Sequence, residues 1–164
     1  MKKITALLLL LISFFSQAQI RLSDRAEISV LTCGSSDEQL YAAFGHSAFR
    51  VSDEMNRIDY VYNYGVFDFD KPNFYINYAK GQNMYQLGVF DYRNFEYAYI
   101  QENRYLHEQV LNLTQQEKQK LFDFLQWNAL PENTEYLYDY FYDNCATKIP
   151  EVILEVLGDS IEFD

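Results

Sequence analysis

Proline and glycine, the residues that interrupt helices and strands, are scarce in this sequence. Three prolines and six glycines among 164 residues leave no Pro/Gly-rich linker, and no internal repeat is visible, so we expect one domain. Long apolar runs are scarce as well. The segment Ile4 to Phe15 has about 12 residues, whereas a membrane-spanning helix needs about 20. The sequence therefore predicts no transmembrane helix.

Metal-binding residues are equally few. The chain has two histidines and two cysteines, without a Cys-x-x-Cys pair, and this composition argues against the usual zinc sites. We expect neither a metal nor a cofactor.

Basic residues are outnumbered by acidic ones. The 13 Lys and Arg face 24 Asp and Glu, which gives a net charge of −11. Nucleic-acid binding requires a basic surface, and so does unaided adsorption to anionic lipid. The composition argues against both.

The N-terminus has the three parts of a secretory signal peptide. Met1-Lys2-Lys3 is basic, the apolar run follows, and Ser16-Gln17-Ala18 is a small-x-small cleavage site. Cleavage after residue 18 would leave 146 of the 164 residues, and 11 of the 13 basic residues would face all 24 acidic ones, a net charge of −13. No cysteine follows the cleavage site, so we expect no lipid anchor. The sequence predicts an exported domain, residues 19–164, on the periplasmic or extracytoplasmic side of the membrane.

Aromatic residues are abundant. With 15 Tyr and 13 Phe the aromatic share is 18%, which is too rich for a disordered chain. Alternating, β-branched and aromatic stretches predict strands over residues 26–32, 46–51, 59–69, 84–92 and 104–113. Helices are predicted over residues 39–44, after the capping box that begins at Thr114, and after the N-cap Asn144, while residues 74–79 are ambiguous. The pattern indicates an α+β fold in which helices pack on a central antiparallel sheet.

Two cysteines remain in the predicted mature chain, Cys33 and Cys145. In an oxidising compartment they could form one disulfide. Alternatively, one of them is a nucleophile. Cys33 lies in an apolar strand-end context and is interpreted as a buried thiol.

Cys145 lies directly after a predicted helix N-cap. Free N–H groups and the positive end of the helix dipole favour a thiolate there, and they predict a lowered pKa for the thiol. The same N–H groups could stabilise the oxyanion that forms when a thiolate attacks a carbonyl. A buried, unreactive cysteine remains the competing interpretation.

His46 begins a predicted strand directly after Gly45, so it could act as the base for Cys145. On the next strand Asn63 or Asp59 could accept a hydrogen bond from the imidazole, and we prefer Asn63. A purely structural histidine is the alternative.

Three further features of the sequence carry predictions. Arg50 shares the strand face of His46 and either binds an anionic substrate group or neutralises Asp59. His107 is expected to be an exposed strand residue. The tyrosine-rich run over residues 136–142 favours a structural role over a ligand-binding one.

Four segments carry a resemblance to a known family. They are Leu31 to Val51, Asp59 to Phe69, Leu111 to Leu113, and Pro131 to Thr147, and they include the motifs Phe44-Gly45-His46-Ser47-Ala48, Tyr62-Asn63-Tyr64-Gly65 and Asp143-Asn144-Cys145. Together they resemble the N-terminal extracytoplasmic domain of the Lnb family, the lyso-form lipoprotein intramolecular transacylases and their relatives. The order of a histidine and then Asn-Cys is also similar to permuted papain-like folds of the NlpC and lecithin:retinol acyltransferase type.

The resemblance implies that Cys145 is the nucleophile and His46 the base. It implies acyl transfer from an ester of a diacylglyceryl lipoprotein, through a thioester, to the amino group of the lipoprotein's N-terminal cysteine. A lipoprotein or phospholipid at the membrane surface would then be the substrate. Two alternatives stay open: a cysteine amidase or peptidase acting on cell-wall peptide, and an inactive interaction domain.

Two departures from the family pattern lead to further expectations. Family members continue beyond the position at which this chain stops, so we expect a domain truncated at its C-terminus. Pro150 follows the Asn-Cys unit closely, and because proline lacks an N–H it should interrupt the first turns of the helix or restart it.

Overall fold

The alternating apolar strands pair into a six-stranded antiparallel sheet in the computed structural model, which describes residues 19–36, 42–81 and 83–158. The strand order is β5-β1-β2-β3-β4-β6. Their bounds are β1 Glu27–Cys33, β2 His46–Asp53, β3 Ile58–Val66, β4 Met84–Asp91, β5 Leu106–Val110 and β6 Glu135–Leu137. The described part of the chain thus confirms the α+β class with a central antiparallel sheet.

Four α-helices cover this sheet within the described residues. They are α1 Phe74–Ala79, α2 Tyr92–Gln101, α3 Gln115–Asn128 and α4 Cys145–Leu157. The ambiguous segment 74–79 is helical, and the capping box at Thr114 forms as predicted. The predicted signal peptide, residues 1–18, and most of the predicted helix over residues 39–44 lie outside the described residues.

The sheet buries a different set of side chains on each face, as strand alternation requires. One face carries Phe49 and Tyr62, and it packs against the apolar sides of α3 and α4. The other face carries Ala48 and Val61, and it packs against Phe95 of α2. The larger core therefore holds α4 against the middle of the sheet.

Pro150 lies inside an unbroken α4, so the expected interruption is wrong. The helix is set by its N-cap and by four buried residues on one side, Ile149, Val152, Ile153 and Leu157. Burying each of these contributes about 1.5–3 kcal/mol, whereas a proline in a helix interior costs about 3 kcal/mol. The summed burial outweighs the lost hydrogen bond.

The sequence missed two elements. Helix α2 has no clear apolar stripe, and within the helix only Phe95 is buried. Strand β6 has three residues and pairs with Met84 to Gln86 of β4. Both elements depend on the tertiary neighbours that they contact, and local periodicity does not reveal those neighbours.

Candidate active site

A cavity of about 730 Å³ opens where β2 begins and α4 begins. His46 and Cys145 line it, together with Asn63. Its walls are rich in aromatic side chains, among them Phe67, Tyr85, Tyr99, Tyr138, Tyr140 and Phe141. The interior is therefore largely apolar, with a small group of polar residues at one place.

Cys145 is the first residue of α4, and its position is fixed by the cap before it. The Asn144 side-chain oxygen accepts hydrogen bonds from the N–H of Ala146 at 2.9 Å and of Thr147 at 3.1 Å. In return the Thr147 hydroxyl accepts a hydrogen bond from the Asn144 N–H at 2.8 Å. This reciprocal capping box holds the first turn rigidly, and it confirms Asn144 as the predicted N-cap.

His46 is the first residue of β2, and Asn63 lies on the neighbouring strand β3. The His46 Nε2 and the Asn63 Oδ1 are 2.6 Å apart. Because an amide oxygen can only accept, Nε2 carries the proton and Nδ1 is left as the basic nitrogen of a neutral ring. The hydrogen bond therefore fixes both the tautomer and the plane of the imidazole.

Gly65 on β3 lies next to both His46 and Cys145. A Cβ atom added to Gly65 would lie 3.6 Å from His46 Cε1 and 3.8 Å from Cys145 Cβ. Gly65 also has a φ of +103°, which L side chains rarely adopt. The two candidate catalytic residues therefore both adjoin Gly65, whose positive φ rather than lack of space favours glycine at this position.

A second glycine, Gly45, lets β2 begin close to the end of β1. It has a φ of +76°, and an added Cβ would lie 2.7 Å from the carbonyl oxygen of Cys33. The Cys33 backbone therefore occupies the space that a side chain at position 45 would need.

The pKa of the Cys145 thiol is raised above its ordinary value of 9.0, because burial penalises the thiolate. Hydrogen bonds from the backbone N–H groups of Ser47, Ala146 and Cys145 itself act in the opposite direction but do not outweigh burial. The expected lowering of this pKa by the helix N-terminus is therefore wrong. The N–H groups are present as predicted, but desolvation is the larger effect.

Burial lowers the pKa of His46 below 6.5, and the positive charge of Arg104 lowers it further. The hydrogen bond to Asn63 raises this pKa but does not outweigh burial. The imidazole is therefore neutral at pH 7, when the thiol is also neutral. The resting pair is a thiol and an imidazole rather than a thiolate and an imidazolium. A proton would have to move from sulfur to nitrogen as the nucleophile attacks.

Cys33 is a free, buried thiol, as predicted, and no disulfide joins it to Cys145. Only 1% of its surface is exposed. Burial raises the pKa of Cys33 to about 11, opposed by a hydrogen bond with Tyr99. The positive charge of Arg104 also lowers this pKa, but burial is the larger effect.

Arg50 and Asp59 lie away from the cavity and bind each other. The Arg50 Nε and the Asp59 Oδ1 are 2.8 Å apart, and Arg50 also contacts Glu108 at 2.8 Å. Its guanidinium stacks 3.5 Å from the centre of the Tyr92 ring. Of the two roles predicted for Arg50, the structure places it in the ion pair, and Asp59 is not the partner of the imidazole.

The sequence missed several residues that line the cavity. The predicted strand over residues 104–113 gives Arg104 no functional role, although Arg104 lines the cavity. Tyr138, Tyr140 and Phe141 belong to the run interpreted as structural, yet they form part of the same wall. Gly65 could have been identified, because a glycine inside a strand pattern often marks a close approach of another group. His107 is exposed on β5, as predicted.

The fold and the cavity define a class of α+β domain in which a helix-capped cysteine and a strand-borne histidine face one apolar cavity. The chain belongs to the Lnb N-terminal periplasmic domain family, whose family model matches residues 15–164. Comparison with curated proteins finds no match, and comparison with solved structures finds none either.

The family is described as a periplasmic domain, in agreement with the predicted extracytoplasmic location. Among the described residues, no helix is long and apolar enough to cross a membrane.

Proposed function

We propose that this domain is a thiol-dependent acyltransferase that acts outside the cytoplasm on the ester acyl groups of a lipid or lipoprotein. One observation carries the proposal: His46 Cε1 and Cys145 Cβ both lie within 4 Å of the point that a Cβ atom on Gly65 would occupy. The point is part of a cavity whose walls are mainly aromatic. A nucleophile, a base and an apolar binding space thus coincide.

Cys145 is the nucleophile in the proposed reaction, and His46 is the base. The Cys145 sulfur attacks the ester carbonyl while His46 Nδ1 takes the thiol proton, so that the thiolate forms only as the carbon–sulfur bond forms. The tetrahedral intermediate collapses, the alcohol leaves with the proton from Nδ1, and the acyl group remains on sulfur as a thioester. A neutral resting pair suits this concerted route.

The second half of the reaction transfers the acyl group to an amine. The amine attacks the thioester carbonyl, His46 takes a proton from the attacking nitrogen, and that proton returns to the departing sulfur. An amide is released and Cys145 is again a thiol. Asn63 keeps Nε2 protonated through both halves, so the transferred proton moves on and off Nδ1 alone.

The backbone N–H groups around the sulfur are the proposed oxyanion donors. Those of Ser47 and Cys145 hydrogen-bond to the sulfur in the resting state, as does that of Ala146, which is shared with the Asn144 side-chain oxygen. When the tetrahedral oxyanion forms next to sulfur, such fixed donors stabilise it without reorganisation. The capping box at Asn144 supports this role, because it fixes the turn that carries two of them.

The character of the cavity favours an acyl substrate over a cell-wall peptide. An acyl chain requires an apolar space, whereas a peptide requires an open polar groove. Aromatic rings contact one another along the wall. The ring centres of Tyr85 and Tyr138 are 4.1 Å apart, and those of Tyr138 and Tyr140 are 5.4 Å apart. We also propose a permuted papain-like arrangement, which the order of β2 with His46 before α4 with Cys145 supports.

The test uses a synthetic diacylglyceryl-cysteinyl peptide with a free N-terminal amine as the probe. Mass spectrometry measures both the acyl adduct on Cys145 and the amide product. We expect the adduct and the product with the wild type, and Cys145→Ala should abolish both, because Cys145 is the only cysteine among the described residues that line the cavity. Cys33→Ala is the matched control and should retain activity within about threefold, since Cys33 does not line the cavity. Full activity in Cys145→Ala would refute the mechanism.

A further inference from the structure

The mouth of the cavity carries strongly exposed aromatic side chains. Phe44 and Phe141 line the cavity, yet 89% and 82% of their surfaces are exposed. Both descriptions hold together only at the opening, where part of a ring faces the interior and the rest faces outward. Tyr142 follows Phe141, is 85% exposed, and has its ring centre 6.5 Å from that of Phe141. We call Phe44, Phe141 and Tyr142 the aromatic rim.

The turn that carries Phe141 and Tyr142 is well ordered by hydrogen bonds. The Asp139 Oδ1 accepts hydrogen bonds from the N–H of Phe141 at 2.8 Å and from that of Tyr142 at 2.9 Å. The backbones of Asp139 and Asp143 pair across the turn, with N–H to carbonyl distances of 2.9 Å and 3.1 Å. A fixed backbone therefore directs the two rings outward, directly before the N-cap of α4.

The stability of the fold does not explain these exposed rings. Burying a phenylalanine or tyrosine is among the largest apolar contributions that a single side chain can make, and the three rim residues gain little of it within this chain. Single exposed apolar residues are common, whereas adjacent exposed aromatic residues at the opening of a cavity mark an interaction site. The rim is therefore a surface for a partner.

The charge around the rim indicates which partner it fits. The chain has 24 acidic residues, yet no Asp or Glu is among the described residues that line the cavity. The two acidic residues of the rim turn are engaged within the fold: Asp139 accepts the two N–H groups, and the Asp143 Oδ1 lies 2.8 Å from the Lys148 Nζ. The rim is thus an aromatic, uncharged patch on an acidic chain. Such side chains anchor proteins at the boundary between lipid head groups and acyl chains.

We propose that the aromatic rim inserts into the interface of a zwitterionic lipid bilayer, so that the cavity opens directly onto the lipid. This inference rests on the proposed acyl transfer and names the surface through which that site receives its substrate. The acyl chains of a diacylglyceryl group lie in the bilayer, and a docked cavity mouth lets an ester reach Cys145 with little exposure of its chain to water. Shallow aromatic insertion requires no attraction between charges, which agrees with the net negative charge of the chain.

The test measures co-sedimentation of the exported chain, residues 19–164, with sucrose-loaded vesicles. Residues 1–18 are omitted because the apolar run of the signal peptide would itself bind lipid. One set of vesicles is phosphatidylcholine alone, and the other also contains phosphatidylglycerol. We expect binding to the first set and no stronger binding to the second. Binding to phosphatidylcholine should change by less than about twofold between low and high salt, because salt screens charge interactions but not apolar insertion.

Variants locate the inserted surface. Phe44→Ser and Phe141→Ser should each weaken partitioning into phosphatidylcholine vesicles about tenfold, because each removes a phenylalanine side chain from the lipid. Tyr142→Ser should weaken it about threefold, since tyrosine retains a hydroxyl in contact with water. Tyr97→Ser is the matched control for Tyr142→Ser and should bind as the wild type, because Tyr97 is an exposed tyrosine on α2 that does not line the cavity.

Three outcomes would overturn the docking surface. Wild-type protein that stays in the supernatant with phosphatidylcholine vesicles would do so whether or not the variants fold. Binding that requires phosphatidylglycerol and is lost in high salt would show an electrostatic surface instead. Equal losses in Tyr97→Ser and Tyr142→Ser would place the contact elsewhere on the molecule. A dimer in sedimentation velocity that is lost in Phe141→Ser, without vesicle binding, would assign the rim to a second copy of the chain.

Vesicle binding requires no turnover, so its result is independent of the proposed activity. Rim-dependent binding without acyl transfer to the soluble diacylglyceryl peptide would support the docking surface and remove the activity. Acyl transfer to the soluble peptide without vesicle binding would support the activity and overturn the docking surface.

Discussion

The thiol pKa values of the two cysteines are shifted in the same direction, but the surroundings of the two thiols differ. Burial raises the pKa of both thiols. Cys33 ends β1 in the small core beside α2, where 1% of it is exposed. Cys145 begins α4 in the cavity wall, with backbone N–H groups directed at its sulfur and with His46 adjoining the same glycine, Gly65.

The comparison shows that acidity alone does not separate a structural thiol from a reactive one here. The two thiols differ in whether a substrate can reach them, in whether a base lies nearby, and in whether N–H donors are present to stabilise a developing negative charge. Each of these three differences can be removed or measured separately.

Removing the base should have the largest effect. In His46→Ala the Cys145 thiol has no proton acceptor, so acyl transfer measured with the diacylglyceryl peptide should fall by about 10²- to 10⁴-fold. His107→Ala is the matched control, because His107 is exposed on β5, and it should stay within about threefold of the wild type. A His46→Ala variant with wild-type rates would show that the imidazole is structural.

Alkylation across pH should separate the two thiols next. Because the Cys145 pKa lies above 9.0, its alkylation rate should rise about tenfold per pH unit from pH 6.5 to 8.5 without a plateau, since the thiolate is the reactive form. Cys33 should react about 10²-fold more slowly in the folded protein, because it is buried. Mass spectrometry of the two cysteine-containing peptides gives both rates. A plateau for Cys145 below pH 7 would instead indicate a preformed thiolate–imidazolium pair.

Replacing Gly65 should have the smallest of these effects. An alanine there would place its Cβ at ordinary contact distance from His46 and Cys145 but would strain the backbone at a φ of +103°, and the resulting shift of β3 beside both residues should reduce acyl transfer about tenfold. Gly81→Ala is the control, since Gly81 also has a positive φ, +65°, but has no atom within 4 Å of an added Cβ. Both variants should lose about 1–3 kcal/mol of stability in denaturant unfolding, and only Gly65→Ala should lose activity. Equal acyl-transfer activities of the two variants would show that glycine at position 65 is not required for catalysis.

Local chemistry made much of this structure predictable. The cap residues Thr114 and Asn144 mark two helix starts because their side chains satisfy free N–H groups within three residues. Strand alternation placed His46 on its face, and the same face of β3 brings Asn63 to it. These features follow from short stretches of sequence.

Features that depend on distant partners could not be predicted in this way. Arg50 lies within β2 and Arg104 shortly before β5, and their surroundings differ because β5 pairs with β1 and brings Glu108 to Arg50. The direction of the Cys145 pKa shift depends on burial, which the fold sets after the helix has formed. The rise in that pKa is therefore a property of packing rather than of the N-cap.

The capping box of α4 has a consequence for the order in which this protein matures. His46 and Cys145 stand near opposite ends of the chain, and synthesis delivers the strands before the last helix. Until Asn144 starts α4 and that helix docks on β2 and β3, the thiol has no base and no surrounding N–H groups. The candidate active site is therefore complete only when α4 is docked on the sheet.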